Sequence, residues 1–270
     1  MMREHTLSCS PVELVPLLDT REFFERFFQQ RQPVVIEGVT RGWAPSEFWA
    51  WPALCERYRD ATVVAARLRH GTLYEKQQRG VVFERIRLGQ FARAASHGEA
   101  AAHYVMAPVW NFPPDLQRHF EVPRYCARAK YLRSKLWIAR AGTVTPLHWD
   151  IPHNFHVHLS GRKRWLLFPP QATRCLYPRG IWSGMPNFAQ VDPEQPDWNR
   201  FPRFRFAHGY QAVLEPGQTL FIPSGWWHYT RTLEDAVSLN FWWGGYGVAL
   251  AAFASTCFKR LRGIRQNEWA

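Results

Sequence analysis

The sequence predicts a mainly β protein, a barrel or jelly roll with flanking helices. Three observations lead there. From about Lys135 onward, apolar runs of strand length follow one another: KLWIARAG, NFHVHL, KRWLLFPP, QTLFIP and AVSLNFWW. Turn chemistry separates them, most clearly at Leu159-Ser160-Gly161 and Glu215-Pro216-Gly217. Aromatic residues make up 16% of the 270 residues and include 14 Trp, a composition suited to sheets and to the wall of a broad cavity.

Ahead of these strands, positions 1–100 form an α/β flank. Asp19 with Glu22 three residues later marks a helix start, and Phe23, Phe24, Phe27 and Phe28 recur at i, i+4 spacing to give an apolar face. PVVIEG after Pro33 is a short buried strand ending in a turn. Ser46 caps a second helix running to about Tyr58. ATVVAARL from Ala61 and GVVFERIRL from Gly80 are further strands.

The barrel itself is expected over 101–245. It is interrupted at 171–211 by a stretch rich in Pro, Trp and Asn, far longer than an ordinary connection, which reads as a wall or lid of a substrate site. Residues 246–270 are expected to be a C-terminal helix with a basic end at Lys259, Arg260, Arg262 and Arg265, able to pack locally or to make a modest homodimer contact. The expected organisation is a single domain, 1–270, without internal repeats.

A formal charge of +12 and a pI near 9.9 give a surface that attracts anions, whether nucleic acid, acidic peptide or lipid, although a solvated Arg-rich surface has the same composition. Cys9, Cys55, Cys126, Cys175 and Cys257 are odd in number and lie far apart, as reduced cytosolic thiols do. The first residues lack the apolar core of a signal peptide, and no run approaches the roughly 20 apolar residues of a membrane span. A cytoplasmic location is therefore expected. No GxSxG, Gly-rich phosphate loop or paired-Cys motif occurs, which sets hydrolase and kinase readings aside.

The chemistry concentrates in His148-Trp149-Asp150. In a strand, residues i and i+2 face the same way, so this imidazole and carboxylate can grip one metal. His228, after the turn Pro223-Ser224-Gly225, is placed to supply a third ligand from a later strand. Two His and one carboxylate leave positions open for a bidentate cosubstrate and O2, the arrangement of non-haem Fe(II) oxygenases. His156 and His158 form an HxH pair like that of simple metal cupins, but no Glu follows at the interval such a cupin uses. With His153 they are expected to be core or cavity-wall histidines.

TPLHWDIPHNFHVHLSGRKRWLLFPP, with FIPSGWWH and SLNFWW downstream, resembles the Jumonji C family of cupin-like oxygenases, whose fold is the double-stranded β-helix. The likeness is greatest to the branch containing the asparaginyl hydroxylase that acts on hypoxia-inducible factor; it spans roughly Tyr104 to Trp243, and PVVIEGVTRGW also looks like that branch. The resemblance implies Fe(II) and 2-oxoglutarate as cofactors and O2 as cosubstrate. It makes His148, Asp150 and His228 the metal ligands and catalytic residues, and Lys163 the partner of the distal carboxylate of 2-oxoglutarate. Thr145 and Tyr104 help to hold that carboxylate, and Asn154 and Asn240 stand near its chelating end. Trp149 and Trp242 are candidates for the substrate pocket.

The same resemblance implies hydroxylation of a protein or peptide side chain. In the related asparaginyl hydroxylase an Arg-Gln pair before the QVD segment helps to hold the target; here Asn187-Phe188 precedes Ala189-Gln190-Val191-Asp192, so recognition differs. Alternatives are hydroxylation of a tRNA nucleoside or of a small molecule or natural product, lysine demethylation, a zinc-dependent cupin, and a non-catalytic binding module that keeps the barrel.

Overall fold

The computed structural model describes residues 7–73, 81–96 and 102–261. The flank contains β1 (Ser8–Pro11), β2 (Glu13–Val15), α1 (Thr20–Phe23), β3 (Val34–Ile36), α2 (Ser46–Trp49), α3 (Trp51–Arg57), β4 (Thr62–Arg69), β5 (Thr72–Leu73), β6 (Phe83–Arg87), α4 (Leu88–Ser96) and β7 (His103–Pro108). Then come β8 (Tyr131–Ala139), β9 (Val144–Trp149), β10 (His153–Ser160), β11 (Lys163–Phe168), α5 (Thr173–Leu176), β12 (His208–Leu214), β13 (Thr219–Ile222), β14 (Trp227–Thr232), β15 (Ala236–Gly244) and α6 (Tyr246–Leu261).

Eight of these strands form a jelly roll. One sheet orders them β8-β15-β10-β13, the other β9-β14-β11-β12, and the described partners within each are antiparallel. Consecutive strands therefore cross between sheets for most of the chain's course, winding it into a double-stranded β-helix. The flank extends both sheets: β3 pairs with β13 and β7 with β8 in the first, and β1 with β12 and β5 with β9 in the second. Gly161 makes the β10–β11 turn possible. Its φ is +73°, and a Cβ there would lie 2.1 Å from the Asp235 carbonyl oxygen.

The Asp19 carboxylate caps α1 by accepting from the Glu22 N–H at 2.8 Å. The helix then widens into a π-turn over Phe24–Phe28, with Gln29 N–H donating to the Phe24 carbonyl. Phe23 and Phe27 are buried, and Phe28 stacks on Trp243 at 5.4 Å. The second expected helix is two. Pro45 occupies the cap position instead of Ser46, and Ala50 leaves helical geometry at ψ 126° because Pro52 has no N–H to continue the ladder.

The expected 171–211 insert is also shorter than anticipated, since β12 begins at His208. The helix of the expected 246–270 segment runs to Leu261, and Arg262 and Arg265 lie outside the described residues, as does Gly80. Among the described residues no helix is long and apolar enough to cross a membrane.

Candidate metal centre

The site is assembled by strand register. In the antiparallel β9–β14 pair His148 stands directly opposite His228, so both imidazoles project from the same face. Asp150 lies one residue beyond the end of β9 and continues that alternation. Between His228/His148 and Thr230/Thr145 the register slips, with three steps on β9 matching two on β14. This bulge falls at Pro146-Leu147, where Pro146 has no N–H to give to the ladder. Its effect is to put Thr145 on the cavity face along with His148, although the two are three residues apart.

The ligand atoms offered by His148, Asp150 and His228 all lie within 4.8 Å of one another, and His228 Nε2 is 3.8 Å from Asp150 Oδ2. Backbone carbonyls orient the rings: His148 Nδ1 donates to the Pro146 oxygen at 2.8 Å and His228 Nδ1 to the Trp226 oxygen at 3.0 Å. A carbonyl can only accept, so Nδ1 carries the proton in each ring and Nε2 keeps its lone pair for a metal. Burial holds the His228 imidazole down at about 4, and thus neutral. Burial also opposes charge on Asp150. The positive charge that His148, His228 and Lys259 can carry, together with the Trp242 Nε1–H that donates to Oδ2 at 2.8 Å, outweighs it and holds the carboxyl below its usual range.

These groups line one part of a cavity running between the two sheets. Deeper in the barrel stands Lys163, 1% exposed, opposite Thr232 on β14 and therefore four residues, roughly 13 Å of strand, from the level of His228. Its Nζ donates to the Tyr104 hydroxyl at 3.3 Å, and Thr145 lines the same cavity. Among the described residues no charged partner acts on this amine, and burial pulls it down to about 7. Asn240 Nδ2 donates to Asn154 Oδ1 at 2.9 Å, and His156 Nδ1 donates to Asn240 Oδ1 at 2.8 Å. The structure thus brings together on one cavity Tyr104, Thr145, His148, Asp150, Asn154, Lys163, His228, Asn240 and Trp242.

Trp149 lies elsewhere. Strand alternation sends it to the opposite face from its two neighbours, where it packs with Leu147, Val191 and Trp227. His153 likewise turns away from the cavity and packs between Phe28, Phe221 and Trp243. His156 is on the cavity wall; its buried Nε2 has no hydrogen-bond partner. His158, below it, donates from Nε2 to the Gly161 carbonyl oxygen.

One site feature had no signal in the residue types. The insert returns to β9 through Ala189 N–H to the Leu147 oxygen and Trp149 N–H to the Asn187 oxygen, and this seats the Phe188 ring on the His148 imidazole at 4.9 Å and 16°. Only the position of Asn187-Phe188 before Gln190-Val191-Asp192 hinted at proximity to the site.

The residues fit both groups that the resemblance implied. A 2-His-1-carboxylate set with open positions suits Fe(II), and a buried amine without an acid suits the distal carboxylate of 2-oxoglutarate.

A family profile described as a cupin-like domain matches residues 20–245. Lysine-specific demethylase 8 of Xenopus tropicalis is 32% identical over 251 residues, 86% of this chain and 55% of that protein. Jumonji C domain-containing protein 5 of Drosophila melanogaster is 27% identical over 241 residues, 85% of this chain and 59% of that protein. Human HSPB1-associated protein 1 is 43% identical over 112 residues, 40% of this chain and 23% of that protein. The chain spans little more than half the length of the first two. None of the three is named as an asparaginyl hydroxylase, so the resemblance holds for the family and is not supported for that branch. The chain belongs to the cupin-like Jumonji C family, whose members use Fe(II) and 2-oxoglutarate.

Proposed function

We propose that this protein is an Fe(II)- and 2-oxoglutarate-dependent oxygenase that hydroxylates a side chain of a protein or peptide. One observation carries the reading: a single cavity has a metal-binding triad at one level and a buried lysine without an acid at another. His148, Asp150 and His228 would hold the iron. Lys163 would pair with the distal carboxylate of 2-oxoglutarate, with Tyr104 and Thr145 completing its hydrogen bonds. Asn154 and Asn240 would bond near the chelating end.

Bound together, iron and 2-oxoglutarate supply oxidative decarboxylation to succinate and CO2, coupled to hydroxylation of a C–H bond. The protein's contribution is geometry and exclusion of water. Trp242 fixes the Asp150 carboxylate by donating to Oδ2, while the Pro146 and Trp226 carbonyls fix the imidazoles. Phe188 covers one face of His148 and shields that side of the site.

Demethylation of a lysine side chain is a second reading, supported by the names of the Xenopus and zebrafish relatives. Hydroxylation of an N-methyl group releases formaldehyde, so formaldehyde assayed beside succinate separates the two.

The primary test is an anaerobic titration of apo-protein with Fe(II) and then 2-oxoglutarate, watching for the visible metal-to-ligand charge-transfer band. The band is expected with the native chain, weakened in Lys163→Ala and absent in His148→Ala and Asp150→Ala. A folded, iron-loaded native protein that gives no band overturns the reading.

A further inference from the structure

Strand alternation sets Tyr131, Arg133, Lys135 and Trp137 along one face of β8. Trp137 lines the cavity, so this is the inner face. The register agrees: Lys135 stands opposite Asn240 and Arg133 opposite Trp242, both cavity-lining residues of β15. The row therefore leads from the cavity wall toward its mouth. Lys135 Nζ lies 5.6 Å from the centre of the Trp242 ring, whose Nε1 donates to Asp150.

A second amine arrives from α6, which packs on β8 and β15. Lys259 of this helix is near enough for its charge to act on Asp150. Both lysines are half-buried. Burial pulls both below the ordinary lysine value, Lys135 to about 8, and among the described residues Asp150 is the anion that opposes that pull on each.

Asp150 cannot satisfy both demands. Once Asp150 and the chelating carboxylate of 2-oxoglutarate balance the two charges of Fe(II), Lys135 and Lys259 keep no counter-charge among the described residues, in a partly desolvated place where unpaired charge is costly. Resting on the oxygenase reading above, we propose that Lys135 and Lys259 form an anion subsite at the cavity mouth, and that the substrate presents a carboxylate there from an Asp or Glu in, or next to, the residue that reacts. A side-chain carboxylate suits the place better than a phosphodiester does. The amines are recessed beside the Trp242 ring, whereas a polynucleotide backbone is followed by extended, exposed rows of cations.

The test uses protein loaded with Fe(II) and 2-oxoglutarate and kept anaerobic. Three probes are compared by fluorescence anisotropy: labelled random peptides containing Asp and Glu, matched peptides with Asn and Gln instead, and bulk tRNA. Acidic peptides are expected to bind more tightly than their amide counterparts and to weaken as salt rises. Lys135→Gln and Lys259→Gln should each weaken the acidic set by about tenfold, leaving the amide set unchanged.

Equal binding of the two peptide sets overturns the inference. So does native affinity in both variants, or tRNA that binds through these lysines and displaces the acidic peptides. The charge-transfer band is recorded on every sample. Its absence from the native protein is a failure of the oxygenase reading, whereas a normal band without acid preference overturns the subsite alone. If Lys135→Gln loses the band through misfolding, Lys259→Gln, on a partly exposed helix, decides the question.

Discussion

A buried amine with no acid beside it destabilises the fold that contains it, and Lys163 is such a group. Burial brings it to about 7 from the ordinary 10.5, so the folded chain gives up this proton at lower pH than the unfolded chain does. Between about pH 7 and 10.5 the unfolded state binds more protons, and the apo-protein should gain stability as pH rises through that window, by at most a few kcal/mol. Lys163→Met is expected to raise the apo Tm near pH 7, to flatten this pH slope and to abolish the rise in Tm on adding 2-oxoglutarate; melts across pH with and without it test all three. A lower Tm at pH 7 would mean that the amine is stabilised by something other than a ligand. Trp242→Phe keeps the ring and removes the hydrogen bond to Asp150, so iron affinity should fall by about tenfold or more. The sequence showed the triad because HxD spacing is a property of neighbouring residues. It did not show that Lys163 lacks an acid, since that depends on what eight strands leave out. Trp149 was placed in the pocket against the same alternation that put His148 and Asp150 together.

At the scale of elements, strands were legible where apolar runs ended in Gly or Pro turns, as at β10, β11, β13 and β15. The limits of the insert were not, because β12 mixes exposed His208, Gln211 and Val213 with half-buried Tyr210 and Ala212 and has no continuous apolar run. The bulge at Pro146 also escaped notice, although it decides which face Thr145 presents. What holds the insert down is a tertiary clasp. Glu194 accepts from the Tyr229 hydroxyl at 2.8 Å and from Arg231 Nε at 2.5 Å, with Arg164 Nη1 at 3.5 Å. Glu194→Ala leaves two guanidinium groups without their shared anion. The expected result is a loss of about 1–3 kcal/mol and faster tryptic cleavage within 171–207, with the rest of the chain resisting longer. Phe188 hangs from this insert, so the same variant should weaken substrate binding more than formation of the iron–2-oxoglutarate band. Equal loss of both would show that the clasp supports the whole barrel.

On the scale of the molecule, the flank and the barrel share one apolar core. Phe23 of α1 meets Tyr125 at 4.5 Å, Phe221 of β13 at 4.9 Å and Phe155 of β10 at 5.4 Å between ring centres. Val34 and Ile36 of β3 belong to the same cluster, and β3 continues the sheet that carries Asn154 and Asn240. The barrel sheet thus has its outer face covered by the flank and its inner face turned to the cavity. Removing the flank would expose a wide apolar surface directly behind the strands that position the site. We therefore propose that the two parts unfold as one unit, as a single-domain chain should. In urea, Trp fluorescence and far-UV circular dichroism should trace one coincident transition. Phe23→Ala, which opens a cavity where three elements meet, should shift that transition by about 3–5 kcal/mol without splitting it. Two separated transitions, with Phe23→Ala moving only the first, would instead establish the flank as a domain in its own right and leave the barrel's stability to its own two sheets.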